Sequence, residues 1–323
     1  MKPLINLVAA FVAASLSSVQ AQTDLRDQLR GSISSVMDSQ EGEQSLTIGP
    51  MEDGRTLLVT VRDHRKNSPS SITALDQGPN IFEVAASRLD LLRVPFGADA
   101  MMGCFKNPSL CDHMSDYLDH LSEQSHPSNM LFFDEIFPET EETFANLRSQ
   151  PFWAVSIRMA LQSASQFIQF HEICHAVLGH LEEPVPNQER LMQEESEADG
   201  CAGSVLERFG DTQIGALTAG MNTLFLQLEE GQFSSTHPPA VCRSLARTES
   251  ASRWLSENTE LFEEELADIP KPDFDIIQNG IQQFMLERQS ECGSYLLSYA
   301  RGYAVANRLI TNETPIEVDE PIR

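Results

Sequence analysis

The stretch FHEICHAVLGH, Phe170 to His180, constrains this chain more than any other. It sets two histidines four positions apart, with a glutamate directly after the first. At about 100° per residue, a helix brings His171 and His175 within about 40° of each other, so both imidazoles can reach one ion. Glu172 then flanks them, where its carboxylate can take a proton from metal-activated water. Ile168, Phe170, Ile173, Ala176, Val177 and Leu178 surround the motif with apolar side chains, so its helix must be buried. Buried neutral histidines need partners, and a metal supplies one. Gly179 reads as a helix stop. His180 projects to nearly the opposite side, which makes it a cap or loop residue and not a ligand.

A catalytic zinc usually takes three protein ligands plus water. The segment EESEADGCAG, Glu194 to Gly203, offers carboxylates on a second predicted helix. Its apolar face comprises Ala198, Cys201, Ala202, Val205 and Leu206. Glu194 and Glu195 flank that face, while Glu197 points away. Periodicity therefore leaves Glu194 and Glu195 as open alternatives. Ala198 and Ala202 are small enough to let this helix approach the histidine helix closely.

The N-terminus bears on the compartment. Lys2 precedes an apolar run from Leu4 to Leu16, and Val19-Gln20-Ala21 is a small-residue cleavage site. That run is short for a membrane span, which needs about 20 residues. Residues 1–21 thus read as a signal peptide, and the protein is expected to be exported, periplasmic or secreted, with no stable membrane insertion. The net charge of −26 excludes nucleic acid and anionic membrane as partners, since both call for a positive surface.

Six cysteines follow the signal, and an exported protein can pair them. Cys104 and Cys111 bracket FKNPSL, whose Asn-Pro-Ser turn predicts a local disulfide. The pairing of Cys174, Cys201, Cys242 and Cys292 stays open. No CxxC pair exists to build a cysteine zinc site.

Along the chain, SLTIGP and RTLLVTVRDH, joined by MEDG, predict a β-hairpin. SPSSITALDQGPN is loop-like, and IFEVAASRLDLLRV could be strand or helix. From Asp112 helical patterns dominate up to about residue 311. The acidic, proline-bearing tail 312–323 is expected to be flexible. The expected architecture is mainly α, of α+β class, with a small β element near the N-terminal side. It divides into a region 22–110 packing on a helical catalytic part 111–311.

HExxH followed by a Glu-x-x-Ala-Asp helix resembles the gluzincin metallopeptidases of the CAAX prenyl protease and HtpX type. The resemblance implies a zincin-like peptidase holding one zinc per chain on His171, His175 and Glu195. It implies that Asp199 orients a ligand histidine. STHPPAVCR is similar to that family's Thr-His-Pro-x-x-x-x-Arg, which implies that His237 stabilises the tetrahedral intermediate and Arg243 partners the acidic residues. The HxxxGH ending also resembles the Lit-type phage-exclusion peptidases, a rival label for the same chemistry. Either family implies hydrolysis of a protein or peptide substrate with Glu172 as the base. The alternative is a non-catalytic metal-binding or chaperone-like module on the same fold. The presence of Glu172 favours the enzyme.

Overall fold

The computed structural model describes residues 43–48, 54–64, 71–75, 78, 80–87, 91, 93–124, 129–181, 187–209, 237–239, 242–247, 250, 291–308 and 316–318. The signal-like segment 1–21 and the helical pattern IGALTAGMNTLFLQLEEG lie outside the described residues. The described part is mainly helical with one sheet, an α+β fold. It divides into two compact units, residues 1–40 with 95–158 and residues 41–94 with 159–323.

The sheet belongs to the second unit. The expected hairpin forms: β1 (Glu43–Ile48) runs antiparallel to β2 (Leu57–His64), and Gly54 takes a positive φ of 81° between them. In β2, Leu57, Val59 and Val61 are buried while Leu58 and Arg62 are exposed, the alternation of a strand with one face inward. The ambiguous IFEVAAS segment resolves as strand β4 (Ile81–Ser87), with Phe82 and Val84 buried. It pairs parallel to β2, and Arg62 on β2 meets Glu83 on β4 at 2.8 Å.

Two expectations of irregular chain need correction. Ser71–Ala74, inside the loop-like segment, is β3 and pairs antiparallel with β4. Its mostly exposed residues give no hydrophobic signal, and pairing of the backbone alone makes it a strand. In the acidic tail, Ile316–Val318 adds β5 to the free edge of β1, so the order is β3-β4-β2-β1-β5.

Helices begin earlier than Asp112, at α1 (Val94–Lys106). Then come α2 (Met114–Glu123), the single turn α3 (Phe133–Ile136) and α4 (Glu141–Arg148). The first unit is organised on Arg148, a buried cation between Asp99 and Asp134 at 2.6 and 2.9 Å and beside the rings of Phe132 and Phe144. Trp153 donates its indole N–H to Asp99 at 2.8 Å. One cation facing two carboxylates leaves burial dominant at Asp99, whose carboxyl is pushed up.

Two long helices carry the motifs. In α5 (Pro151–Val177), the buried residues Trp153, Ile157, Ala160, Ala164 and Phe167 form a stripe at three- and four-residue spacing. His171, Cys174 and His175 continue that stripe, so the histidines point inward for the same reason the tryptophan does. The next helix, α6 (Gln188–Phe209), starts at Asn187, whose side-chain oxygen accepts the N–H of Arg190 at 2.9 Å as an N-cap. Helical turns follow at 242–247 and 291–308.

Glycine sets the packing of α6 on the 291–308 helix. A Cβ on Gly200 would collide with the carbonyl of Tyr299, and one on Gly302 with the carbonyl of Glu197. The two backbones touch where side chains would hold them apart. Ser196 donates its hydroxyl to the Tyr295 carbonyl at 2.7 Å one turn away. Further along, Glu207 accepts from Arg247, from Ser250 at 2.9 Å and from Tyr303 at 2.7 Å, tying three segments to one carboxylate.

The four cysteines left open by the sequence pair as Cys174–Cys201 and Cys242–Cys292. The first joins α5 to α6, and the second joins 242–247 to 291–308. Cys104 is disulfide-bonded. The side chain of Cys111 lies outside the described residues, so the Cys104–Cys111 pairing stays an expectation.

Candidate metal centre

The HEICH turn of α5 faces the acidic stretch of α6. His171 presents Nε2 to Glu195 Oε2 at 3.0 Å and Nδ1 to Asp199 Oδ1 at 2.8 Å. Nε2 of His175 lies 3.2 Å from His171 Nε2 and 3.5 Å from the same Glu195 oxygen. His237, at the end of α6's long following segment, brings Nε2 to within 3.0 Å of Glu195 Oε2. Three imidazole nitrogens therefore converge on one carboxylate oxygen. The ligand atoms of His171, Glu195 and His237 all lie within 4.8 Å of one another.

Glu194, the alternative left open by periodicity, is turned to Arg190 on its own helix at 2.9 Å. Glu172 sits half-buried on α5 between the two histidine positions. Arg243 grips Asp199 through two bonds, Nε to Oδ2 at 2.7 Å and Nη2 to Oδ1 at 2.8 Å. The Pro238-Pro239 pair positions both: the amide of Arg243 bonds back to the Pro239 carbonyl, starting the helical turn just past His237.

The electrostatics follow from this packing. Burial opposes charge at Asp199, but the Arg243 cation and hydrogen bonds from Arg243 and His171 hold its carboxyl far below the usual range. Burial likewise opposes charge at Glu195, and hydrogen bonds from His171, His175 and His237 outweigh it and hold that carboxyl well down. His171 lies between these two anions. Burial disfavours its cation, yet hydrogen bonds to Asp199 and Glu195 push its pKa up to about 10. The buried anions demand a cation between them, and a proton on His171 meets that demand.

His180 lies in the cap of α5, as expected, but it does not project away from the site. It is buried and packs against the site, with Nδ1 3.0 Å from His175 Nδ1 and Nε2 3.1 Å from Glu197 Oε2. The reason lies at Gly179, whose φ of 76° ends α5. The amide of His180 bonds to the His175 carbonyl at 2.9 Å, and that of Gly179 to Ala176 at 3.2 Å, a Schellman turn. The turn folds His180 back over the helix, so a helical projection does not apply to it. Glu197, which does point away from the metal face, is met there by His180.

The donor set suits a metal. Imidazole nitrogen and carboxylate oxygen are the ligands zinc takes, at about 2.0–2.2 Å. Four ligands at that radius stand about 3.3–3.6 Å apart at the corners of a tetrahedron. The separations of 3.0, 3.2 and 3.5 Å among His171, His175 and Glu195 lie at or just below that edge.

The family model described as Peptidase U49, that of the Lit-type peptidases, matches residues 106–257. That segment is just under half of the chain and holds His171, Glu172, His175, Glu195, Asp199, His237 and Arg243. The similarity supports peptidase activity and falls on the Lit-type resemblance, not on the CAAX and HtpX one. No curated protein and no solved structure matches the chain. Among the described residues no helix is long and apolar enough to cross a membrane.

Proposed function

We propose that this protein is a zinc-dependent endopeptidase that cleaves exported or envelope proteins. The observation that carries the reading is the convergence of His171, His175 and His237 on Glu195, with Glu172 next to the first of them. His171, His175 and Glu195 would hold one zinc. When bound, the ion would acidify a water molecule and polarise a peptide carbonyl.

The residues of the chain do the rest. Asp199 fixes the His171 ring through Nδ1 and leaves Nε2 to face the centre, and Arg243 keeps Asp199 ionised and in place. The Glu172 carboxylate accepts the proton of the attacking water and delivers it to the departing amine nitrogen. His237, an imidazole N–H donor already aimed into the centre, hydrogen-bonds the oxyanion as the carbonyl becomes tetrahedral.

The test joins metal analysis to a single variant. Purified protein should carry about one zinc per chain and hydrolyse casein, with loss of activity on chelation. Glu172→Gln should keep its zinc and its melting temperature but lose hydrolysis, because the base is gone and the ligands remain. Activity within a few-fold of the parent would overturn this mechanism.

A further inference from the structure

Nδ1 of His171 and Nδ1 of His175 are held by matching arrangements. His171 Nδ1 faces Asp199, and Asp199 is gripped by Arg243. His175 Nδ1 faces His180 Nδ1 at 3.0 Å, and His180 Nε2 faces Glu197 Oε2 at 3.1 Å. The guanidinium groups of Arg190 and Arg301 stand 3.9 Å from the other Glu197 oxygen. His171 and His175 are thus each backed by a carboxylate with arginine behind it. At His175 one additional imidazole lies in the chain.

Two ring nitrogens 3.0 Å apart must share a proton, and the carboxylate at the far end decides which keeps it. Ionised Glu197 accepts only, so His180 carries its proton on Nε2. With His180 as the neutral imidazole, its Nδ1 is a bare acceptor, and the shared proton belongs to Nδ1 of His175. That leaves Nε2 of His175 unprotonated toward His171 and Glu195, the state a ligand requires. The arrangement is built, not incidental. The positive φ of Gly179 is needed to fold His180 back, and the close approach of Gly302 pins the backbone of Glu197.

We infer that His180 and Glu197 are positioning residues, which fix the tautomer and ring orientation of His175 through a Glu197–His180–His175 chain. The consequence for metal affinity rests on the zinc reading above; the order of protons does not. Outer hydrogen-bond partners of metal-ligating histidines typically contribute 10- to 100-fold in affinity.

The experiment uses full-length protein with ¹⁵N-labelled histidine. Long-range ¹H–¹⁵N spectra of the metal-free protein at neutral pH should show His175 protonated on Nδ1 and His180 on Nε2. Zinc affinity is then measured by chelator competition. His180→Ala should lose about 10- to 100-fold, and His180→Gln, which keeps an acceptor, should recover part of it. Glu197→Ala combined with His180→Ala should lose no more than His180→Ala alone, since both interrupt one chain. A proton on His180 Nδ1, or additive losses in the double variant, would overturn the inference. Expected tautomers in a parent that binds no zinc would refute the metal reading and leave the proton order standing.

Discussion

Cys174 and Cys201 are bonded across the two helices that carry the candidate site, one residue before His175 and two after Asp199. The bond closes a chain separation of 27 residues. Cross-linking a loop of that length stabilises by about 3–4 kcal/mol in the chain-entropy account. The variant Cys174→Ala/Cys201→Ala should therefore unfold at lower denaturant concentration by that order, with weakened zinc retention. An unchanged unfolding midpoint would show that the packing of α5 on α6 needs no staple.

Arg243 gives the second prediction. Asp199 is 1% exposed, and its charge is matched by a bidentate guanidinium. Arg243→Ala should cost on the order of 3–5 kcal/mol, because the carboxylate is left buried with one partner fewer. Arg243→Lys should recover little, since a point charge cannot reproduce the two-pronged geometry. Thermal unfolding of the three proteins decides it.

His237 separates two roles. As a donor to the oxyanion it helps only in the transition state, so His237→Ala should keep zinc and lower kcat by about 100- to 1,000-fold at nearly constant KM. As a ligand it would take the metal with it. Thr236→Ala is the neighbouring control. Stoichiometric loss of zinc in His237→Ala would move His237 into the ligand set.

The raised pKa of His171 carries a sign. In metal-free protein the folded state holds this proton up to about pH 10, whereas the unfolded chain releases it near 6.5. The resulting stabilisation is complete below about pH 6.5, declines as pH rises, and is gone above about 10. Melting temperatures in chelator should fall across that window, and His171→Gln should flatten this part of the fall. On the acid side the depressed carboxyls of Asp199 and Glu195 contribute above their ordinary values, and that contribution is lost as pH falls below them.

Cys104 and Cys111 supply the last prediction. Peptide mapping without reductant should recover the two linked within one short loop; a free thiol at Cys111 would refute that pairing.

What could be read from the sequence follows the range of the forces involved. His171 and His175 were legible because helical phase alone puts them on one face. Phase could not choose between Glu194 and Glu195, because both flank the same stripe; Arg190, which occupies Glu194, is a surface neighbour that no apolar pattern records. His180 was legible as a cap residue, but its direction was not, because the sign of one glycine torsion sets it. β3 was invisible because its residues are mostly exposed and only its backbone is paired. Tyr295, Gly302 and Arg301, which meet α6 from about a hundred positions away, had no local signal at all.

The contact of Gly200 with the Tyr299 backbone has a bearing on synthesis. Every residue assigned to zinc or to proton transfer precedes position 244, so a ribosome has made all of them while the wall behind α6 is still unmade. A nascent chain ending before residue 291 would expose the glycine seam and lack the partner of Cys242. Such a truncated chain is expected to hold zinc weakly and to leave casein uncut, which zinc titration and a hydrolysis assay of residues 22–290 would check.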